Sequence, residues 1–249
     1  MIREFVRDLI PPVALHSYRV LRHSVLFPFE PELHFVSRFL RRTHTAIDVG
    51  ADVGLYTSIM VRGAGQTIAI EPNPSSARYL RRLRLPNCRI VEAAASDIVG
   101  ERTLYVPADR ARGSLSLINP VASEPAVAHK VRTCTLDSLD APRPVSFIKI
   151  DVEGYELSVL HGAAGLLDRD RPALMVEVEY RHGGDVRAVF DLLGGHGYDG
   201  HVLVDGNLTR TDPQILAELQ SPDRLRAKEA NPRFAGYINN VIFLARGSL

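Results

Sequence analysis

Two glycines and two acidic residues are spaced in this chain as a nucleoside-binding site requires. Asp48 and Gly50 end a first apolar run, Gly54 follows, and Glu71 ends a second apolar run seventeen residues after Gly54. In parallel α/β sheets the glycines let the backbone approach the ligand, and the acid after the second strand takes the ribose hydroxyls. The spacing therefore predicts a nucleoside-cofactor site.

The charges at this turn favour one cofactor over another. A dinucleotide fingerprint reads G-x-G-x-x-G, whereas Ala51 and Asp52 stand between Gly50 and a single later glycine, Gly54. A carboxylate at Asp52 or Asp48 would repel a pyrophosphate, but it suits an amine or a sulfonium. We therefore expect S-adenosylmethionine, with a nicotinamide cofactor as the alternative.

A stretch of small residues follows the third predicted strand. Ala93, Ala94 and Ala95 suit the face of an adenine ring, and Ser96 and Asp97 come next. The Asp97 carboxylate could accept a hydrogen bond from the exocyclic amine, or it could cap a turn. We include Ser96 and Asp97 among the predicted cofactor residues.

Acidic residues also follow the fourth predicted strand, residues 147–151. Asp151 ends this strand and Glu153 lies in the next turn, at the edge where open α/β sheets bind ligands. Asp151 is the expected base or orienter for an acceptor hydroxyl, although it could instead contact only the cofactor amine. Glu153, and His182 after the fifth strand, are the other catalytic candidates.

The same acids could instead bind a metal ion. Oxygen ligands from Asp151, Glu177 and Glu179 would suit magnesium or manganese, and such an ion would lower the pKa of the acceptor hydroxyl. Lys149, in a buried strand, must be paired, and we expect it to bridge inward-facing acids.

Composition sets the context for these sites. The 249 residues, 45% of them hydrophobic, suffice for one large α/β domain or two small ones. A net charge of +1 argues against a general nucleic-acid binder. Neither a signal peptide nor an 18-residue uncharged apolar run is present, so we expect a cytoplasmic protein without a transmembrane segment.

The order of predicted elements divides the chain. Residues 1–42 read as a helical cap, whose basic amphipathic character could also contact a membrane surface. Alternating strands and helices then predict a parallel sheet covered on both faces. Residues 100–140 interrupt this alternation as an insertion of two strands around a long loop, in which Ser114 and Ser116 would shape a lid. A late apolar run, residues 240–244, would suit an edge strand.

The chain resembles the FkbM-type methyltransferases, a branch of the class I S-adenosylmethionine-dependent enzymes. Five blocks carry the resemblance: Ile47-Asp48-Val49-Gly50-Ala51 with Gly54, Ile70-Glu71-Pro72-Asn73-Pro74, Ala95-Ser96-Asp97, Thr135-Leu136-Asp137-Ser138-Leu139, and Ile148-Lys149-Ile150-Asp151-Val152-Glu153-Gly154-Tyr155-Glu156. The last block is the most specific to the family, and a weaker match falls at Asn239-Asn240. Tyr56, beside the first block, and Pro72, in the second, join the predicted cofactor residues.

The resemblance implies a fold and a reaction. The implied fold is a Rossmann-like α/β domain over residues 43–249, with a seven-stranded sheet in which six strands are parallel and one is antiparallel. The implied reaction is O-methylation of a hydroxyl on a sugar, a glycolipid or a secondary metabolite. A non-catalytic module that keeps the cofactor fold is a further alternative, although three clustered acids argue against it.

Overall fold

The computed structural model describes residues 32–107, 126–231 and 236–248. Most of the predicted cap, with its amphipathic basic segment, therefore lies outside the described residues, as do Ser114 and Ser116 of the predicted lid. Helix α1 (Glu32–Val36) belongs to the cap and buries Leu33 and Val36 in the main core. Within the described ranges, no helix has the length and apolar character needed to cross a bilayer.

Strands and helices alternate through most of the chain. The strands are β1 (Thr45–Val49), β2 (Gln66–Ile70), β3 (Cys88–Val91), β4 (Ala94–Ala95), β5 (Gly100–Pro107), β6 (Ala126–Cys134), β7 (Val145–Ile150), β8 (Ala173–Glu177), β9 (Tyr198–Val204), β10 (Asn207–Arg210) and β11 (Asn240–Ala245). The further helices are α2 (Leu55–Gly63), α3 (Pro74–Leu83), α4 (Glu156–His161), α5 (Ala164–Asp170), α6 (Val186–Gly195), α7 (Pro213–Leu219) and α8 (Pro222–Ala230), with a 3₁₀ turn at Tyr180–His182.

Eight strands form the main sheet, in the order β10-β9-β11-β8-β7-β1-β2-β3. The run from β8 to β3 is parallel, and β11 is antiparallel to both of its neighbours. This arrangement confirms the predicted α/β class with a mostly parallel sheet. Two strands, β11 and β10, run against the other six, where one reversed strand was expected. The first crossover leaves β1 in the middle of the sheet, so the ends of β1, β2 and β7 meet at one edge.

The expected number of seven strands is one too few. Strand β10 pairs antiparallel with β9 and forms the outer edge of the sheet. The two residues between these strands, Asp205 and Gly206, both have positive φ angles, of 47° and 79°. Such a pair forms the two-residue turn that suits a right-twisted hairpin, and this turn adds the eighth strand.

The prediction of a late edge strand is wrong. Strand β11 lies between β8 and β9, and all six of its residues are buried. A strand covered on both faces is almost continuously apolar, which the run Val241-Ile242-Phe243-Leu244 satisfies.

The sequence pattern predicts one helix over residues 156–167 and one near residues 213–227, and the structure divides each of them. Residues 156–170 form α4 and α5 on either side of Gly162, where an added Cβ would lie 2.0 Å from the Ser96 carbonyl oxygen. Residues 213–230 form α7 and α8, which begin at Pro213 and Pro222 respectively. Proline is favoured at the first turn of a helix and disfavours a helical residue before it, so Pro222 separates the two.

The insertion forms a small second sheet in the order β4-β6-β5. Strands β5 and β6 pair antiparallel from Gly100 and Thr133 outward, and β4 pairs parallel with the base of β6. Leu104 is buried there against Ala94 and Val131. This packing fixes the insertion to the stretch predicted to contact adenine.

The core occupies both faces of the main sheet, and β7 shows how. Ile148 and Ile150 pack into a cluster with Leu160 of α4, while Phe147 packs on the opposite face with α1 and α2. Because side chains alternate along a strand, Lys149 shares the face of Phe147. The strand thus brings a lysine into the core directly before the predicted catalytic edge.

Candidate active site

A cleft with a cavity volume of about 130 Å³ lies at the carboxyl ends of β1, β2 and β7, with β4 and β5 forming another wall. The lining residues are Val49, Gly50, Asp52, Ile70, Glu71, Pro72, Ala94, Ala95, Leu104, Asp151, Val152 and Glu153. Among these described residues four are acidic and none is basic, so the cleft suits a cationic ligand better than an anionic one.

The glycine turn joins two strands as well as lining the cleft. Gly50 has a φ of +78°, and a Cβ there would lie 1.8 Å from the carbonyl oxygen of Asp151. The Gly50 and Ala51 amides donate to the carbonyl oxygen of Ile70. Gly54, with a φ of +81°, begins α2. The turn after β1 is thus held against the ends of both β2 and β7.

Glu71 is held by backbone donors. Its Oε2 accepts from the Asp52 amide at 2.8 Å, and its Oε1 accepts from the Asn73 amide at 2.7 Å. The residue is only 1% exposed, and burial raises the pKa of Glu71 to about 7 despite these two hydrogen bonds. Its carboxyl group lines the cleft at the position predicted for ribose contacts.

Some predicted cofactor residues lie behind this turn. Asp48 is buried and accepts a hydrogen bond from Thr57 Oγ1 at 2.5 Å, and burial raises the pKa of Asp48. The ring of Tyr56 faces Lys149, whose Nζ lies 4.5 Å from the ring centroid. Ala51 packs in a small cluster with Leu80. Within the described part of the chain, the lining of the cleft includes none of Asp48, Ala51 and Tyr56.

In the predicted adenine stretch, some residues line the cleft and others do not. Ala94 and Ala95 line the cleft, together with Leu104 of β5. Ser96 is buried and donates from Oγ to Asp97 Oδ1 at 2.8 Å, and this hydrogen bond lowers the pKa of the exposed Asp97. Leu104 is a cleft residue that the sequence analysis did not predict, because it lies in the insertion. Its place in an apolar predicted strand was the available signal.

Lys149 and Asp151 form an ion pair at the inner end of the cleft. The Nζ of Lys149 donates to Asp151 Oδ2 at 2.7 Å, and the lysine side chain is only 3% exposed. Burial opposes ionisation of Asp151, but the charge of Lys149 and hydrogen bonds from Glu177 and Lys149 outweigh it, so the pKa of Asp151 is lowered. The interpretation of Lys149 as a bridge to buried acids agrees with this geometry.

Glu153 and His182 form a second pair. Glu153 Oε2 lies 3.0 Å from His182 Nε2, and the hydrogen bond from this ring nitrogen to Glu153 raises the pKa of His182. Glu153 has a φ of +55°, and the next residue, Gly154, approaches the carbonyl oxygen of His182. The strained turn therefore carries one carboxylate into the cleft and sets the position of its histidine partner.

Glu156 keeps this turn closed. Its Oε1 accepts from the Gly154 amide at 3.0 Å and from the Val152 amide at 3.3 Å. A carboxylate at the first turn of α4 also suits the positive end of the helix. Glu156 therefore both suits the start of α4 and fixes the backbone on both sides of Glu153.

The three residues predicted for a metal ion are not equivalent. Glu179 is buried and binds Arg181, with 2.9 Å between Oε1 and Nη2, and its Oε2 accepts from the Tyr237 hydroxyl. Glu177 instead lies near Glu153 and His182, with one candidate ligand atom from each residue within 4.8 Å of the others. Glu179 is thus satisfied elsewhere, and Asp151 is occupied by Lys149.

Asn239 belongs to the weaker family match, and its side chain contacts the site. Its Nδ2 donates to Glu177 Oε1 at 2.6 Å. The residue directly precedes β11, and its carbonyl oxygen accepts from the Val178 amide. Asn239 reaches the site because β11 lies inside the sheet, beside β8.

The sheet order, the glycine turn and the cleft define a class I methyltransferase of Rossmann-like fold. A model of the Methyltransferase FkbM domain matches residues 48–200, more than half of the chain. The chain therefore belongs to the FkbM methyltransferase domain family, which confirms the resemblance. Comparison with curated proteins finds no match.

Several solved structures are similar. The methyltransferase FkbM from Methylobacillus flagellatus KT has 18% identity and a TM-score of 0.50, with 86% of this chain and 47% of that chain covered. SMU.1697c from Streptococcus mutans, in complex with SAH, has 10% identity and a TM-score of 0.47 over 87% and 97% of the two chains. An rRNA methylase from Streptococcus thermophilus has 12% identity and a TM-score of 0.44 over 86% and 94%.

At 18% identity the Methylobacillus protein shares the fold, and this chain spans about half of its length.

Proposed function

We propose that this protein is an S-adenosylmethionine-dependent O-methyltransferase. The observation that carries the proposal is a single cleft that joins Gly50 and Glu71 to the acidic edge formed by Asp151 and Glu153. The first pair suits the nucleoside of a methyl donor, and the second suits a hydroxyl acceptor. Both reactants would then lie against one another at the same edge of the sheet.

Charge supports S-adenosylmethionine over a nicotinamide dinucleotide. Four acids and no base are found among the described lining residues, and S-adenosylmethionine carries a sulfonium and an ammonium but no phosphate. Glu71 would accept the ribose hydroxyls, while Ala94, Ala95 and Leu104 would cover the adenine ring. A pyrophosphate in this cleft would face Asp52 without a compensating cation on the lining.

The reaction would be an in-line displacement. The acceptor oxygen forms a bond to the methyl carbon, the carbon–sulfur bond breaks, and its electron pair stays on the neutral thioether. The hydroxyl proton must be removed as the oxygen attacks, and a positioned base contributes about 10²–10⁴-fold. Alignment of oxygen, carbon and sulfur supplies much of the rest.

We assign proton removal to the pair of Glu153 and His182. Glu153 lines the cleft, and the imidazole beside it has a pKa raised by the hydrogen bond to this carboxylate. Asp151 has a lowered pKa because Lys149 holds its charge, so it is a weak base. Asp151 instead accepts a hydrogen bond from the acceptor hydroxyl and orients it.

The acceptor class follows from the family expectation and from these carboxylates. Ionised carboxylates accept hydrogen bonds and donate none, which suits the hydroxyl groups of a sugar, a glycolipid or a secondary metabolite. Methyl transfer from labelled S-adenosylmethionine to panels of these three classes, followed by mass spectrometry, tests this assignment. Transfer only to nitrogen acceptors or to RNA would contradict it.

Ligand-induced thermal shifts separate the donor hypotheses. We expect S-adenosylhomocysteine to raise the melting temperature and NAD(H) to leave it unchanged, because binding to the native state alone stabilises it. Stabilisation by NAD(H) alone would overturn the proposal. Asp151→Asn should retain the shift with S-adenosylhomocysteine while losing most methyl transfer, whereas a purely binding module would show no transfer in either form.

A divalent ion remains a separate hypothesis for the acceptor side. The predicted set of Asp151, Glu177 and Glu179 does not fit an ion well, because Lys149 and Arg181 already hold two of the three carboxylates. We therefore propose activation by side chains and expect methyl transfer to be insensitive to EDTA. A loss of activity with EDTA that magnesium or manganese restores would establish the metal instead.

A further inference from the structure

Two backbone segments behind the acceptor side leave the main sheet together. Strands β8 and β11 pair as far as Glu177 and Asn240, and one further hydrogen bond joins the Val178 amide to the Asn239 carbonyl oxygen at 2.9 Å. After this bond, one segment enters the 3₁₀ turn that ends at His182, and the other consists of the residues before Asn239. Because buried backbone groups need hydrogen-bond partners, another group must take over where the strands stop pairing.

The side chain of Gln220 provides these partners. Its Nε2 donates to the carbonyl oxygens of Val178 at 2.7 Å and of Ile238 at 2.9 Å, one on each segment. Its Oε1 accepts from the Tyr180 amide at 3.0 Å. The residue is only 8% exposed, and both protons of its amide nitrogen are used on the backbone. Gln220 therefore joins the two segments beyond the last backbone hydrogen bond between them.

Helix α7 fixes Gln220 in place. Gln220 directly follows Leu219, the last residue of α7, and its backbone amide donates to the carbonyl oxygen of the fully buried Leu216 at 2.9 Å. The start of the same helix holds the 3₁₀ turn as well, because the Tyr180 hydroxyl donates to the Pro213 carbonyl oxygen at 2.8 Å. The family match ends at residue 200, so α7 lies beyond it.

Each of the two joined segments carries a group of the acceptor side. His182 ends the 3₁₀ turn, with its Nε2 3.0 Å from Glu153 Oε2. Asn239 directly follows Ile238, and its Nδ2 donates to Glu177 Oε1 at 2.6 Å. A displacement of either segment would move these side chains relative to the cleft, and a misplacement of about 1 Å can cost about 10²-fold in rate.

We propose that Gln220 is a positioning residue of the acceptor side. It holds the turn that carries His182 and the segment that carries Asn239 against one another. Gln220 is not among the described residues that line the cleft, so it acts through the backbone and not on a reactant. This inference rests on the proposed methyl transfer for its effect on rate, but the joining of the two segments does not depend on that reaction.

Gln220→Met tests this role, because methionine has a similar length and cannot form the three hydrogen bonds. We expect kcat to fall about 10²-fold, the cost of a misplaced reacting group. The affinity for S-adenosylhomocysteine should not change, because the donor side is held by its own backbone contacts. If Gln220→Met fails to fold, Gln220→Asn replaces it, since an amide that is one methylene shorter cannot reach the same carbonyl oxygens.

Asn87→Leu is the matched control, because Asn87 joins backbone segments in the same way elsewhere. Its Nδ2 donates to three backbone carbonyl oxygens at 3.0–3.3 Å, beside the outer strand β3. The positive φ of Asn87, 46°, makes this substitution costly for stability as well. We expect Asn87→Leu to lower the melting temperature and to leave kcat unchanged.

Hydrogen exchange followed by mass spectrometry tests the joining of the segments without any activity. In Gln220→Met, the backbone amides of residues 178–183 and 237–240 should exchange faster than in the wild type, because local opening becomes easier. Exchange in residues 50–54 of the donor turn should not change. Asn87→Leu should exchange like the wild type in all three regions.

The outcomes distinguish this inference from the proposed function. If residues 178–183 and 237–240 exchange as slowly in Gln220→Met as in the wild type, or if kcat is unchanged, Gln220 is not a positioning residue. Equal losses of kcat in Gln220→Met and Asn87→Leu, or a loss of S-adenosylhomocysteine affinity in Gln220→Met, would indicate general destabilisation and would also overturn the inference. Failure of the wild type to bind S-adenosylhomocysteine would reject the proposed function alone, because hydrogen exchange reports on the two segments independently.

Discussion

The two halves of the cleft are built by different means. On the donor side, Gly50, Asp52 and Glu71 lie within a short stretch, and backbone amides hold the Glu71 carboxylate. On the acceptor side, the contacts join β7, β8, the 3₁₀ turn and the residue before β11, and the partners are charged side chains and the Asn239 amide. Backbone geometry fixes the first half, and a charge network fixes the second.

This difference predicts how each half fails. Backbone donors remain when a single side chain changes, so the donor side should lose affinity in small steps. Removing one member of a buried charge network leaves its partner without compensation, so the acceptor side should lose function abruptly. Gly50 is the exception, because it belongs to the donor turn but packs on the backbone of Asp151.

The largest effect is expected from Gly50→Ala, which breaks both halves. The added Cβ would meet the Asp151 carbonyl oxygen at 1.8 Å, in a backbone conformation that already disfavours a side chain. We expect the free energy of unfolding to fall by about 4 kcal/mol or more. Chemical denaturation measures this change.

Gly183→Ala is the control for this substitution. Gly183 has a similar φ of +72° but nothing within 4 Å of the added Cβ. It should cost only about 1–2 kcal/mol, the price of the left-handed conformation. Equal losses in the two variants would show that strain, and not contact with Asp151, makes Gly50 necessary.

A smaller effect is expected from Glu153→Gln, which changes the acceptor side alone. His182 must be neutral to accept a proton, so wild-type activity should rise with pH as the imidazole loses its proton. Because Glu153 raises the pKa of His182, the acidic limb of the pH–rate profile should shift to lower pH in the variant. Maximal kcat should fall about 10²-fold. If the acidic limb of the pH–rate profile does not shift in the variant, His182 does not take part in proton removal.

Glu71→Gln tests the donor side and should lower affinity moderately. A carboxylate accepting ribose hydroxyls binds better when ionised, so wild-type affinity for S-adenosylhomocysteine should increase as pH rises through about 7, the pKa of Glu71. The variant should bind about tenfold more weakly at high pH, since hydrogen bonds to charged groups contribute about 1.5–3 kcal/mol. It should also lose this pH dependence, which calorimetric titration at several pH values measures.

The same variant has a predictable effect on stability. Folded Glu71 stays protonated up to about pH 7, whereas its usual pKa is 4.5, so the native state binds more protons in this window. Wild-type stability should therefore decrease as pH rises from the unfolded value through the folded value. Glu71→Gln should remove that contribution, and an unchanged slope would mean that Glu71 is already ionised in the native state.

The smallest effect is expected from Gly206→Ala, outside the cleft. Gly206 has a φ of +79° in the hairpin turn before β10, with no atom near the added Cβ. The free energy of unfolding should fall by about 1 kcal/mol. Methyl transfer should not change, and a loss of activity would connect the edge hairpin to the cleft.

Sequence prediction succeeded where the signal was local. The sequence pattern predicts a strand over Thr45–Val49 and a helix over Leu55–Gly63, which are the limits of β1 and α2. Glu71 and Asp151 also lie at the expected edge of the sheet. The apolar runs and the glycine spacing contain this information within single elements. The seven strands that the family resemblance implies do not include β10, although Asp205-Gly206 is a dipeptide typical of a hairpin turn.

Long-range contacts could not be predicted in the same way. The pairing of Glu153 with His182 depends on how the 3₁₀ turn packs against Gly154. The contact from Asn239 to Glu177 depends on β11 lying beside β8. The spacing of residues in one sequence does not specify which strand-end acid will contact which cation. The predicted metal ligands therefore included Glu179, whose carboxylate binds Arg181 instead.

The central claim is that the donor side binds its ligand independently of the acceptor network. Calorimetric titration of S-adenosylhomocysteine into Glu153→Gln, beside the wild type and Glu71→Gln, tests it most directly. We predict that Glu153→Gln binds as tightly as the wild type while Glu71→Gln binds more weakly. Weaker binding by Glu153→Gln, equal to that of Glu71→Gln, would contradict the division of the cleft into two halves.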